Sequence, residues 1–336
     1  LKRDVKEQKV LRKPIALQIK MTEIERTFYE NVTDSVRSYC HSYGLFEGFI
    51  LTIPQRQMCS SMPAALRSWE RAEVNFDEED MSVSELEGGS KDVDKSKLTR
   101  KSGPLINELA QIGNQLGSYD ELRKNDSKYG ALIANLQKYW AQYPNNKIIV
   151  FSFYRETLKY LNERLTEDGI RSVLIMGGMG NKKQKLVQDF KESNDVNILL
   201  ASEVLSEGVD LQFSSTLINY DLPWNPMKIE QRIGRIDRIG QKEDSILIWN
   251  LFYSDTLDDR IYHRLFDRLG IFEQAFGVYE AILGDKLKNL QTHLLTHPLS
   301  PSEEQEQIDQ TCMALATEKQ NQDELESNAA GLMAHG

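Results

Sequence analysis

The chain has 336 residues, 40% of them apolar, enough for two domains or for one domain with appendages around a sizeable core. Its three cysteines, Cys40, Cys59 and Cys312, form no C-x-x-C pair, no run approaches the roughly 20 apolar residues of a membrane span, and no secretory leader follows Leu1. The cysteines fit a reducing compartment and give no metal framework, and the chain is expected to be cytoplasmic and part of a longer polypeptide. The net charge of −10 argues against a polyanionic partner only until its distribution is considered: residues 70–95 and 298–336 each carry −7, which leaves +4 for the remainder.

In chain order, Leu17, Ile19 and Met21 alternate, which predicts a short extended segment. Thr22-Glu-Ile-Glu25 is a capping box, and Phe28, Val32, Val36 and Tyr39 then recur at helical spacing. A second apolar stretch covers Phe46 to Leu66. The acidic segment after it, with Gly88-Gly89-Ser90 at its centre, is expected to be a disordered linker near 70–103. Leu105 to Leu122 is amphipathic, and Asp126 and Ser127 are placed to cap a helix bearing Leu132, Leu136, Tyr139 and Trp140. Short apolar runs at 147–153, 172–176, 196–201, 216–220 and 245–252 then alternate with helical patterns at about 155–167, 181–193 and 226–238. This alternation predicts an α/β fold, a parallel sheet with helices on both faces. Ligands of such sheets bind beyond the carboxyl ends of strands, which points to the loops after Phe153, Met176, Ala201 and Tyr220. A helical stretch follows to about Leu295, with Ile261, Leu265, Leu269 and Phe272 on one stripe, and the tail from Pro298 is expected to be disordered.

The most informative run is Q-R-I-G-R-I-D-R-I-G-Q, residues 231–241. Arg232, Arg235 and Arg238 are spaced i, i+3 and i+6, which predicts one helical face, with Gly234 and Gly240 leaving backbone open between them. Guanidiniums so placed suit phosphate oxygens, because each presents a rigid fork of donors. The plainer alternative is a solvated basic helix end.

Five segments occur in order: K-I-I-V-F-S-F-Y-R-E-T (147–157), M-G-G-M-G-N-K-K-Q-K (176–185), A-S-E-V-L-S-E-G-V-D-L-Q (201–212), N-Y-D-L-P-W-N-P (219–226) and the arginine run. The series resembles the second RecA-like lobe of superfamily-two helicases, in particular the Swi/Snf branch. Arg235-Ile-Asp-Arg238 looks closer to the bacterial RNA-polymerase-associated Swi/Snf ATPases than to eukaryotic remodellers, which usually carry R-x-H-R. Leu1-Lys-Arg-Asp-Val resembles the end of a first lobe, and Asp126-Ser-Lys128 the start of a second.

That resemblance implies a residue-by-residue assignment. Arg235 and Arg238 match the arginines that reach the γ-phosphate of ATP held by the first lobe. Gln231 matches a glutamine that sets interlobe hydrogen bonds. Gly208 allows close backbone approach, and Asp210 matches an acid that contacts the ribose or positions the arginines. Ser202 matches a hydroxyl residue that touches a nucleic-acid phosphate, and Arg155 is placed to do the same. No metal ligands are expected in this chain, since ATP and Mg2+ would be held mainly by the first lobe. Plainer roles stay open: Asp210 as a turn cap, Gly208 as a turn glycine, Arg155 and Lys182, Lys183 and Lys185 as solvated helix residues, and Trp224 as a packing anchor. No G-x-x-x-x-G-K-[ST] loop occurs in the sequence, so the chain alone is expected to lack ATP turnover.

The implied organisation is the end of a first lobe or a linker over 1–20, a helical region over 21–125, the RecA-like lobe over 126–252, a helical brace over 253–297 and an acidic tail over 298–336. The implied function is half of an ATP-dependent translocase acting on DNA, double-stranded by resemblance, with RNA polymerase as a candidate protein partner and no membrane partner. The alternatives are a strand-separating helicase and a non-catalytic partner-binding module.

Overall fold

The computed structural model describes residues 10–44, 47–71, 108–115, 118–180, 182–202, 210–223, 226–237, 241 and 243–263, together with 267, 290 and parts of 302–321. The acidic stretch from 72, the segment 1–9, Gly208, Trp224, Arg238, Gly240 and the stripe residues Leu265, Leu269 and Phe272 lie outside them.

Among the described residues six strands form one sheet in the order β1-β6-β5-β2-β4-β3, and every neighbouring pair is parallel. They are β1 (Leu11–Ile19), β2 (Ile148–Phe151), β3 (Ser172–Ile175), β4 (Ile198–Ala201), β5 (Thr216–Asn219) and β6 (Ser245–Tyr253). The helices are α1 (Glu23–Tyr43), α2 (Glu47–Ser60), α3 (Met62–Glu70), α4 (Tyr119–Lys124), α5 (Ser127–Gln142), α6 (Arg155–Glu167), α7 (Lys182–Glu192), α8 (Pro226–Ile233) and α9 (Leu257–Ile261).

The central strands β2, β4 and β5 are buried at every position, which is why they appear in the sequence as unbroken apolar runs. Their side chains still alternate between two cores. Ile149, Phe151, Leu199, Ala201, Leu217, Ile248 and Phe252 pack on one face with Val187 and Phe190 of α7 and Ile229 and Ile233 of α8. Ile148, Val150, Ile198, Leu200, Ile218, Trp249 and Leu251 pack on the other with α1, α3, α5 and α6. The N-terminal helices thus cover one face of the sheet and share its core. The capping box at Thr22 is formed, with Glu25 Oε2 accepting from the Thr22 amide at 2.7 Å.

Three sequence expectations are corrected. Residues 11–19, expected in a first lobe or linker, are the edge strand of this same sheet, paired with β6 from Leu11↔Ser245 to Ile19↔Tyr253. An outermost strand tolerates Pro14, which lacks an amide for the ladder. The tail expected to be disordered from Pro298 contributes helical residues at 305–311, where Ile308, 2% exposed, joins the core that includes α7 and α8. The helix expected to reach 238 ends at Ile233.

Candidate functional site

The sheet places polar groups at both of its ends. At the carboxyl end the ladder continues one residue past each strand: Tyr220 N donates to Phe151 O at 2.9 Å, Ser152 N to Ala201 O at 3.1 Å and Ser202 N to Ile175 O at 3.1 Å. These bonds align Ser152, Ser202 and Tyr220 along one edge. Ser202 is 5% exposed, and its Oγ has no hydrogen-bond partner among the described residues. Arg155, partly buried, opens α6 two residues after Phe153 on the same edge. Gly178 and Gly180 turn the loop after β3 with φ of 83° and 50°, a region that only glycine enters readily.

Asp221, in the loop after β5, is a key residue that the sequence did not single out. Its buried carboxylate accepts from Ser60 Oγ at 2.6 Å, from Phe153 N at 2.8 Å and from Ser152 Oγ. It thereby joins the end of α2 to the loops after β2 and β5. The only sequence signal was its place in D-L-P-W-N-P, directly after an apolar strand. Beneath it Lys128 is fully buried, its Nζ donating to Cys59 O at 2.5 Å and lying over the rings of Tyr220 and Tyr253. Burial lowers the Lys128 pKa, against the opposing pull of Asp221 and Asp258.

Arg232 is not a phosphate-facing arginine. It is fully buried, donates from Nη1 to Asn219 Oδ1 at 2.7 Å and to Asp221 O at 3.3 Å, and lies over Phe151. Asn219 in turn bonds Asn250 Oδ1 at 2.7 Å, so the guanidinium pins α8 to β5 and β6. The predicted common face of Arg232 and Arg235 fails because the chain leaves the helix between them. Gly234 N reaches Glu230 O at 2.7 Å and Asp237 N reaches Ile233 O at 2.8 Å, closing a compact turn. A Cβ at Gly234 would meet Glu230 O at 3.2 Å, a crowded contact with backbone that explains the glycine.

That turn lies at the amino end of the sheet. Leu211 N donates to Arg235 O at 3.2 Å, and Gln241 Nε2 donates to Ser214 O at 3.0 Å and Ile236 O at 3.1 Å. Ser214 precedes β5, and its Oγ donates to Lys147 O at the entry to β2 at 2.8 Å. Partly buried Arg235 and exposed Asp210 are therefore neighbours, at the end opposite Ser202 and Arg155. Of the two pairs, only Ser202 and Arg155 lie at the carboxyl ends of strands, where ligands of parallel sheets bind. Asp210 Oδ1 accepts from Gln212 N at 3.1 Å, the turn-capping role kept open above. Gln231 is exposed on the last turn of α8.

Arg12, near the start of β1, reaches this turn as well. Its Nη1 and Nη2 meet Glu230 Oε2 and Oε1 at 2.7 and 3.0 Å, and its Nε meets Asp237 Oδ2 at 2.8 Å. Burial alone would lower the Arg12 pKa, but the bonds and charges of Glu230 and Asp237 outweigh it and the net shift is upward. Among the described residues no group of three or more His, Cys, Asp or Glu side chains is placed to hold a metal ion, and no helix is long and apolar enough to cross a membrane.

Comparison with known proteins agrees with this architecture. Residues 127–240 match the model of the helicase conserved C-terminal domain. The chain is 30% identical over 313 residues to an uncharacterized ATP-dependent helicase, YqhH, of Bacillus subtilis (strain 168), covering 90% of this chain and 49% of that protein. It is 37% identical over 148 residues to the RNA polymerase-associated protein RapA of Photobacterium profundum, covering 42% of this chain and 15% of that protein. The chain thus spans at most about half the length of these relatives. Among solved structures, the C-terminal part of the Fun30 ATPase domain superposes with a TM-score of 0.51 at 16% identity, covering 86% of this chain and 99% of that one, a likeness of fold. Motif order, parallel sheet and family match converge: over residues 127–240 the chain matches the helicase conserved C-terminal domain, set on a RecA-like parallel sheet.

Proposed function

We propose that this chain is the second motor lobe of an ATP-dependent DNA translocase of the Swi/Snf branch, acting in the cytoplasm on double-stranded DNA. Arg235 and Arg238 reach the γ-phosphate of ATP seated on the first lobe. Asp210 and Gly208 lie against the nucleotide, and Gln231 bonds across the cleft. Ser202 and Arg155 grip the nucleic-acid backbone. ATP binding closes the two lobes and hydrolysis releases them, so that alternating grip becomes a step.

The observation that carries this reading is the separation of two polar ends on one sheet. Ser202, whose buried hydroxyl has no partner among the described residues, lies at the carboxyl end, and Arg235 beside Asp210 lies at the amino end. One lobe can then hold two different phosphate-bearing partners without competition between them. Magnesium would accompany ATP on the first lobe, and the described residues offer it no ligand cluster. The name of the RapA relative supports RNA polymerase as a protein partner.

The test is steady-state hydrolysis by the intact protein. Arg235→Ala is expected to lower kcat by about 10³–10⁵ with little change in ATP affinity. Arg155→Ala is expected to weaken binding to all DNA sequences alike and to reduce the salt slope by about one phosphate contact. Full hydrolysis by Arg235→Ala would turn the reading to a partner-binding module, and strand separation exceeding triplex displacement would turn it to a helicase proper.

A further inference from the structure

The run from Glu230 to Gln241 contains two carboxylates, Glu230 and Asp237, one on each side of Arg235. Both are held by one guanidinium that arrives from more than two hundred residues away in sequence. The Arg12 side chain is 4% exposed, and its Nη1, Nη2 and Nε each meet a different carboxylate oxygen, at 2.7, 3.0 and 2.8 Å. Its base is firm: β1 is paired with β6 along all nine residues, and Leu11 N donates to Asp244 O at 3.0 Å. The turn it grips has no strand or long helix of its own. It rests on the bonds of Gly234 and Asp237 to the last turn of α8, on Leu211 and on Gln241.

We propose that Arg12 is a positioning residue for the arginine-bearing turn, fixing 230–237 to the edge strand so that Arg235 is presented to the nucleotide in one geometry. This rests on the reading of Arg235 given above. The structure supplies the reason: Arg12 bridges the residues before and after the turn, Glu230 and Asp237, so the turn cannot open without breaking it. Lysine cannot replace it: an ammonium keeps the charge but cannot extend a planar fork to two carboxylates at once.

The experiment uses Arg12→Lys with two readouts. In hydrogen exchange, the amides of Gly234 and Asp237 are expected to exchange about tenfold faster or more, while the β6 amides keep their protection, since the opening is local. A general loss of stability would speed both together. In the intact protein with DNA, kcat is expected to fall about tenfold to a hundredfold at a KM for ATP within about threefold of the unsubstituted value. If Arg12→Lys fails to fold, Glu230→Gln and Asp237→Asn each release one arm, and the same pattern is expected in milder form. Unchanged exchange at Gly234 and Asp237 overturns the proposal, and so does a kcat within about twofold while Arg235→Ala abolishes hydrolysis. An Arg235→Ala protein that hydrolyses ATP normally overturns instead the motor reading beneath it.

Discussion

Arg232→Met separates a buried structural arginine from a phosphate-binding one. The guanidinium makes hydrogen bonds at 2.7 and 3.3 Å to Asn219 Oδ1 and Asp221 O, and its central carbon lies 5.3 Å from the centroid of Phe151. Methionine keeps most of the stem and the packing on Phe151 but supplies no donor. The two acceptors are then stranded at about 1–3 kcal/mol each. A modest part of that is offset, because the folded state no longer desolvates a guanidinium. The balance is a loss of about 2–4 kcal/mol, or a fall in Tm of about 5–15 °C for a unit of this size. Thermal melts followed by circular dichroism, beside Arg235→Met as a partly exposed control, measure it. The control is expected to lose less stability than Arg232→Met, because Arg235 is less deeply buried. If Arg232→Met melts like the parent and instead loses nucleotide or DNA affinity, Arg232 is a ligand-binding group and the account of the β5–α8 junction is wrong.

Asp221→Asn turns one acceptor oxygen into a donor facing Ser60 Oγ, Ser152 Oγ or Phe153 N, and is expected to lower the urea midpoint at constant m by about 2–4 kcal/mol of stability; an unchanged midpoint would show that the carboxylate is dispensable. Burial depresses the Lys128 pKa, so between that value and the ordinary one near about 10.4 the unfolded chain binds more protons than the folded one, and stability rises with pH. Lys128→Met is expected to flatten that rise in urea melts taken across the alkaline range below tyrosine ionisation, and a parallel slope in the two proteins would count against a depressed Lys128 pKa. Cys40 and Cys59 are buried, and burial drives the Cys59 thiol pKa upward, so neither is expected to react with a thiol reagent until denaturant is added; labelling of either in the native protein at the rate of a free thiol would contradict the packing.

The sheet was legible because its strands differ from its helices in period. Each apolar run named in the sequence contains a strand, and Arg155–Glu167 occupies the helical pattern predicted for it. Thr22 and Asp126 marked helix starts because their side chains could be matched to amides three residues on, and both bonds form. Spacing failed at Arg232, since an i, i+3 relation assumes a helix that Gly234 ends. It also failed at Ile308, where one apolar residue among acids gave no periodic signal yet had a hydrophobic surface to cover. Arg12 and Asp221 were illegible for a different reason: their partners lie far along the chain, and no local pattern announces a contact across 218 or 161 positions.

The distance between the two polar ends bears on how such a lobe can work. The four residues of β5 cover about 13 Å and the eight of α8 about 12 Å, so strand out and helix back connect the Asp221 loop to the Arg235 turn over a single thickness of the sheet. Arg232 cross-links that hairpin from within, and Leu217, Ile229, Ile233 and Ile236 fill the space between its arms. A close-packed unit of this kind does not compress or shear by small degrees. Under the proposed function, force generated at the nucleotide end therefore passes to the nucleic-acid end by movement of the whole lobe against its partner, not by deformation inside it. Hydrogen exchange in the intact protein should accordingly leave the amides of β5 and α8 equally protected with and without ATP, with changes confined to the edge loops and the Arg235 turn. Loss of protection in β5 on nucleotide binding would mean that the lobe itself bends, and the rigid-body account would have to be abandoned.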